Sequence, residues 1–481
     1  MSWGLGAVAV VLAVTIVPGL ASGPPGGPVR SSTANQPLPQ NPPPFLPAGN
    51  RSCSARACHG GIAPGGKPIR QNEYTIWLTR DKHAEAYDVL VRNPLSRSIA
   101  EKLGAGSGPF TPAFEDTRCL ACHTNPAAAA PAEPLSSVRQ EGVSCETCHG
   151  AGPWVGEHTN STVWRPLDAD AKLRRGMILT RDLANRARVC VGCHVGAPDE
   201  SGPARDVNHD LIAAGHPRLA FELTAYLDAM PAHWDQSTHA DEQDLQGRAR
   251  TWAVGQAELA LAALRLLESR AQAESPPWPE FAEYDCFACH HDLREPSWRQ
   301  KGGHGARDSG SLPWGIWSFS MLPYTLKALP PGNAPGSTEV LAMIESLKQI
   351  LSTPDPGRSR AKDKAHAVAQ AMAPWPGKLD RARFEPGSIM DLLRLIVADT
   401  SKDVDPCWAR TTQAYLATSA LYPALVKQEP MYRERQIDSF LESVQHSLTF
   451  PPDYESPAGY QPYSSEDERA VPKGLRPSPG R

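Results

Sequence analysis

The stretch Gly142-Val-Ser-Cys145-Glu-Thr-Cys148-His149-Gly150 decides how this chain is read. Two thiols three positions apart, with an imidazole next in line, recur at Cys119-Leu-Ala-Cys122-His123, Cys190-Val-Gly-Cys193-His194 and Cys286-Phe-Ala-Cys289-His290. A fifth copy is stretched, Cys53-Ser-Ala-Arg-Ala-Cys58-His59, with four residues between the thiols. Ten of the 11 Cys are used in this way, and each pair is followed at once by one of only 15 His. Five such coincidences have odds on the order of one in tens of millions, so the pattern is the attachment signal of c-type haem.

The chemistry sets the spacing. The two thiols add to the two vinyl groups of one haem, and the next residue supplies the proximal iron ligand. The thioether donors are therefore Cys53, Cys58, Cys119, Cys122, Cys145, Cys148, Cys190, Cys193, Cys286 and Cys289, and the proximal ligands His59, His123, His149, His194 and His290. Five haems follow. The first needs a looped-out insert to reach both vinyls, the competing reading of Cys53 and Cys58 being a local disulfide. Zinc explains the set less well, since it takes two Cys pairs per metal and requires no His after each. Cys407, alone beside Trp408, reads as a small buried hydrophobe.

A sixth iron ligand separates an electron-transfer haem from one open to substrate. In Tyr74–Val91 a helical pattern places Ile76, His83, Tyr87 and Leu90 on one face, which aims His83 inward. His158 follows His149 through a glycine-rich loop that can fold it back on a neighbouring haem. His209 and His216 flank Asp-Leu-Ile-Ala-Ala-Gly, with Pro217 placed to open a helix whose buried face is Leu219, Leu223, Tyr226, Leu227 and Met230. His233, in Pro-Ala-His-Trp, completes the distal candidates, with His239 behind it. His291 and His304 are left with propionate or loop roles, and His366 and His446 with ordinary ones.

At these residues the sequence resembles the multihaem cytochromes c of the cytochrome c-554/c-prime type. The first motif leading into Tyr74-x-x-Trp77-x5-His83-Ala84-x-Ala86 is similar to that family's opening block. So are Gly142-Val-Ser-Cys145-Glu-x-Cys148-His149-Gly150 with His158, and Gly215-His216-Pro217-Arg-Leu-Ala-Phe-Glu222. The resemblance covers about residues 50–300 and implies His83, His158 and His216 as distal ligands, with His209 placed to join them. It departs in having five motifs where the tetrahaem member has four, and in the stretched first motif. Electron carriers and relatives of enzymes acting on hydroxylamine or nitrogen oxides both belong to the family.

Beyond the motifs, 481 residues with a formal charge of −4 give no basic face for nucleic acid. The one long apolar run, Leu5 to Leu20, followed by Gly19-Leu20-Ala21, reads as a secretory signal over 1–21, with a retained membrane anchor as the alternative. Residues 22–50 read as a Pro/Gly-rich linker, and 451–481 as a disordered tail. The expected fold is mainly α. A pentahaem cytochrome c domain over 51–310 has short helices and long loops around stacked haems, and a haem-free all-α domain follows over 311–450. Its stripes are Val340/Ile344/Leu347/Leu351, Ile389/Leu392/Leu393/Ile396 and Trp408/Tyr415/Leu416. A helix near 245–271 separates the last two motifs. The expected function is electron transfer between redox protein partners in the periplasm or at the membrane. Catalysis at one five-coordinate haem on a small nitrogen or sulfur compound is the alternative, and no acid–base constellation is specific enough to name a catalytic residue.

Overall fold

Few long apolar runs and many Pro and Gly favour short helices, and in the first half each is stopped within a few turns. A computed structural model describes residues 45–62, 71–104, 110–129, 136–198, 203–234, 246–273, 278–290, 310–328, 336–401, 408–433 and 435–448. All belong to one compact unit beginning at Asn41. The signal or anchor segment, the tail, Cys407, His239, His291 and His304 lie outside the described residues. Among those described, no β-strand forms; isolated bridges join Ala197 to Arg205 and Tyr284 to Trp314.

The helices of the first half are α1 (Glu73–Arg80), α2 (Ala86–Arg92), α3 (Pro94–Gly104), α4 (Thr117–His123), α5 (Ser136–Arg139), α6 (Cys145–His149), α7 (Trp154–Glu157), α8 (Ser161–Trp164), α9 (Ala169–Arg174), α10 (Leu183–His194), α11 (His209–Ala214) and α12 (Leu223–Ala229). Side chains satisfy their exposed amino-terminal amides: Asp116 caps α4, Asp168 α9, Asp182 α10, Asn208 α11 and Glu222 α12. Each such cap is worth about 1 kcal/mol, which matters for helices too short to persist alone.

Three expectations change here. The single helix over Tyr74–Val91 is broken: α1 ends at Arg80, Asp81 caps a 3-10 turn over Lys82–Glu85, and α2 starts at Ala86. Pro217 opens no helix. His216 lies just past Gly215, the C-cap of α11, and α12 begins at Leu223 because Glu222 accepts the amides of Thr224 and Ala225; Tyr226 is left exposed rather than buried. The linker is also shorter than expected. Pro47, Gly49 and Asn50 are buried, and the amides of Ala48 and Gly49 donate to Glu146 at 3.0 and 2.7 Å.

The second half follows the other logic. The helix α13 (Gly247–Gln272) is buried on nearly every side, from Trp252 through Leu267, rather than along one stripe. Around it pack α10 and α12 from the first half, with α14 (Leu322–Lys327), α16 (Arg358–Met372), α17 (Trp375–Asp380) and α19 (Trp408–Gln428) from the second. The bundle is completed by α15 (Ser337–Leu351), α18 (Pro386–Ser401) and α20 (Arg435–Leu448). One apolar core runs from Leu183 and Val191 of α10 through α13 to Leu448. There is thus no break in the core at residue 310. Two of the three expected stripes are largely buried. In α19, however, Trp408, Tyr415 and Leu416 are only half-buried, and the inner face is built from Ala414, Ala417, Leu421 and Leu425.

Candidate functional site

In three of the five copies the Cys-x-x-Cys-His run forms the end of a helix, at the last residues of α4, α6 and α10. Residues three apart share a helix face, so both thiols leave on one side. In the fifth, Asp285 caps a 3-10 turn over Cys286–Ala288. The stretched first motif takes up its extra residues as a turn in which the Ala55 carbonyl accepts from the amides of Cys58 (2.9 Å) and Gly60 (3.0 Å). A Cβ at Gly60 would stand 1.9 Å from the Ser54 carbonyl oxygen, so the arch requires glycine. Behind His149 the chain makes an equally close approach: Gly150 (φ 82°) and Gly176 (φ 88°) face one another backbone to backbone, and a Cβ on either would lie 2.0 Å from a carbonyl oxygen.

The fold sets the histidines in pairs. The ring of His59 faces that of His158 at 6.1 Å between centroids, His83 faces His194 at 6.1 Å, His149 faces His233 at 6.4 Å, and His209 faces His290 at 6.4 Å. His123 feels His216 as its neighbouring imidazole. Two metal–nitrogen bonds of about 2 Å, with about 1.1 Å from each nitrogen to its ring centre, span about 6 Å across one iron. The four measured separations match that span. Each pair joins a histidine that follows a cysteine pair to one that does not.

The other ring nitrogen is engaged from behind. His59 Nδ1 lies 3.1 Å from Glu73 Oε2 and His83 Nδ1 2.9 Å from Asp81 Oδ1. The Nδ1 atoms of His123, His158 and His216 lie 2.9, 3.0 and 2.8 Å from the carbonyl oxygens of Ala86, Trp154 and Pro217. An acceptor at Nδ1 holds the proton there and leaves Nε2 free for a metal, the arrangement expected behind an iron-ligating histidine. Burial pushes His149 and His194 down to about 4 and also lowers His123 and His233, keeping these imidazoles neutral and able to ligate. His59 and His83 are raised instead, chiefly by their hydrogen bonds to Glu73 and Asp81.

Thiols of different motifs also meet. Cys53 lies beside Cys145, and Cys122 beside Cys193. Cys148 lies in the field of Cys190 and Cys193. The first and third motifs, the third and fourth, and the fourth and second are therefore neighbours. The fifth joins through Arg218, whose Nη1 donates to Cys286 Sγ at 3.0 Å two residues after His216. A cleft bounded by His194, Arg218, Arg270, Glu283 and Trp317 runs between the fourth motif and the fifth. Among the described residues no group of three or more His, Cys, Asp or Glu converges on a bare metal ion, whereas a tetrahedral zinc site would need four donors.

Residues 53–150 match the family model for cytochrome c554 and c-prime. Over that span the chain is similar to the c-type cytochromes of the c554 and c-prime type. No curated protein and no solved structure matches it. The matched segment holds the first three motifs and His83; the fourth and fifth motifs, and His158, His216 and His233, lie beyond it.

Several residues that build the site had no sequence signature. Glu73, Glu146 and Glu280 act on backbone or ring atoms distant in the chain and Arg270 on two distant carboxylates, whereas Asp81, two residues before His83, is a local turn signal. His366 pairs with Glu268 at 2.8 Å and ties α16 to α13 on the surface.

Proposed function

We propose that this cytochrome is an exported pentahaem electron carrier, with every haem held between two histidines. The pairing of four proximal histidines with a second imidazole, with His216 in the field of the remaining one, His123, carries the reading. Cys53/Cys58, Cys119/Cys122, Cys145/Cys148, Cys190/Cys193 and Cys286/Cys289 would hold the five haems. The axial pairs would be His59–His158, His123–His216, His149–His233, His194–His83 and His290–His209. Bound haem c supplies reversible one-electron exchange between Fe(III) and Fe(II).

The protein's own part is to orient and to exclude. Carboxylates and carbonyls behind Nδ1 fix ring orientation, and the neighbouring thiols would set the motifs' groups in the order first, third, fourth, second. Arg218 places the fifth beside the second. A five-coordinate, substrate-binding haem would need a proximal histidine with no second imidazole, whereas four of the five face one across about 6 Å and His123 lies in the field of His216. Covalent attachment belongs to an exported compartment, as does the apolar segment Leu5–Leu20; among the described residues no helix is long and apolar enough to cross a membrane.

The test is stoichiometry with spin state. Iron and pyridine haemochrome assays should give five haems per chain, and the oxidised protein should be low-spin throughout. A sizeable high-spin signal, or ready binding of cyanide, would overturn the carrier reading.

A further inference from the structure

The five motifs are unequally open to solvent. Cys58 of the first and Cys289 of the fifth are exposed, while the other eight motif cysteines are half-buried. In the contact order above these are also the two ends of the array. An exposed end is where a partner can approach, and the charge around each end differs. From Arg51 to Ile62 the chain holds two arginines and no acidic residue, and both Arg51 and Arg56 are exposed. Arg56 sits inside the insert that stretches the first motif, and Ile62 beside it is 69% exposed.

Two carboxylates near this surface are already engaged in hydrogen bonds of their own. Glu73 is held on His59 Nδ1, and Glu141, which feels the charge of Arg51, accepts the Asn50 amide at 2.7 Å. Before the fifth motif the balance is reversed, with Glu280, Glu283 and Asp285 and no Lys or Arg from Trp278 to His290. Glu280 accepts the amide of His209 and Glu283 the guanidinium of Arg270, so both face inward.

We propose that the stretched first motif is a docking port for an acidic redox protein, Arg51 and Arg56 forming its charged rim and Ile62 its apolar contact. The extra residues between Cys53 and Cys58 thereby gain a purpose, since they carry a positive charge to the edge of the first haem. Weak redox encounters use small interfaces of this composition, an apolar centre with a charged rim, and are steered by opposite charge. The proposal rests on the pentahaem reading, because it needs a haem on Cys53 and Cys58.

The test uses the intact holoprotein. Hexacyanochromate(III), a redox-inert paramagnetic trianion, should broaden the methyl resonances of Ile62 selectively over those of Ile344 in the bundle. The double variant Arg51→Glu/Arg56→Glu should abolish that selectivity. It should also slow oxidation of the reduced protein by ferricyanide, which accepts one electron to give ferrocyanide, by about tenfold at low ionic strength. The rate difference should vanish near 1 M salt, where the screening length is about 3 Å. Lys348→Glu/Arg360→Glu, an equal charge change on the bundle, should leave both readouts as they were. No preference for Ile62, or an equal effect from the bundle variant, would overturn the port. Four irons per chain in the unaltered protein would instead remove the first haem, a failure of the underlying reading that the haemochrome assay identifies by itself.

Discussion

The two halves of this molecule solve the same problem with different materials. The bundle around α13 buries leucines and alanines in a continuous core, as Leu347, Leu351, Leu379, Leu393 and Leu421 show, none of them measurably exposed. Among the described residues before α13 and outside α10 and α12, the apolar clusters are small, one around Leu90, Ala100 and Leu120, another of Ile99, Leu211 and Ala214, and the contact of Ala128 with Val138. Clusters of that size cannot offset the conformational entropy of so much chain. The haems proposed above would serve as the core for the helices that precede α13, whereas the bundle around α13 closes on its own side chains.

The most severe way to break this comparison is to withhold the cofactor. With attachment blocked by Cys145→Ser/Cys148→Ser, hydrogen exchange should show protection lost around α1 to α9 while α13 and the bundle helices keep theirs. Retained protection in α1 to α9 would mean that the first half folds by its own packing.

A smaller effect is expected at the seam. Arg270, on α13, reaches Asp206 just before His209 and Glu283 just before Cys286, so it holds both sides of the fifth site to the bundle. Arg270→Gln leaves two half-buried acids without their cation and should cost about 2–3 kcal/mol in thermal or denaturant unfolding. It should also disturb the low-spin signal of one haem in five, a change that no other bundle substitution should produce. Leu393→Ala sharpens that contrast, with an expected loss of about 3 kcal/mol in stability and an unaltered visible spectrum.

The mildest test is a pH profile at Glu258, whose carboxyl is raised above 4.5 by burial although Arg188 lies 2.8 Å away. The folded state holds this proton more tightly than the unfolded one. Its penalty is therefore absent below about pH 4.5, grows as pH rises towards the folded value, and stays constant beyond it. Glu258→Gln should gain on the unaltered protein across that window in urea titrations, and a constant difference between the two would show that Arg188 fully offsets the burial.

Much of the site was legible because covalent haem attachment writes its needs into adjacent residues. The cysteine pairs with their histidines, and His83, His158, His209, His216 and His233 as candidates to face them, could all be picked out by motif and neighbourhood. Which faces which could not, because that depends on how loops cross. The groups behind the rings were hidden for the same reason: Ala86 and Trp154 contribute carbonyls, which every residue has. The fold was legible where leucine and isoleucine repeat, as in α18. It was misread where alanine lines the inner face, as in α19, and where a cap overrode periodicity, as Asp81 and Glu222 did. The shared core across residue 310 left no mark because α13 is apolar nearly all round, a pattern that names no partner.

The pairing of the histidines makes the chain indivisible. His59 meets His158, His83 meets His194, His149 meets His233 and His209 meets His290, so the segments between partners overlap in sequence like links in a mail. A cut anywhere from His83 to His290 separates at least one couple. The span 53–150, recognisable by its family, encloses none of them whole. What sequence comparison isolates as a unit is, in space, a set of half-sites waiting for residues not yet made when the ribosome has finished it.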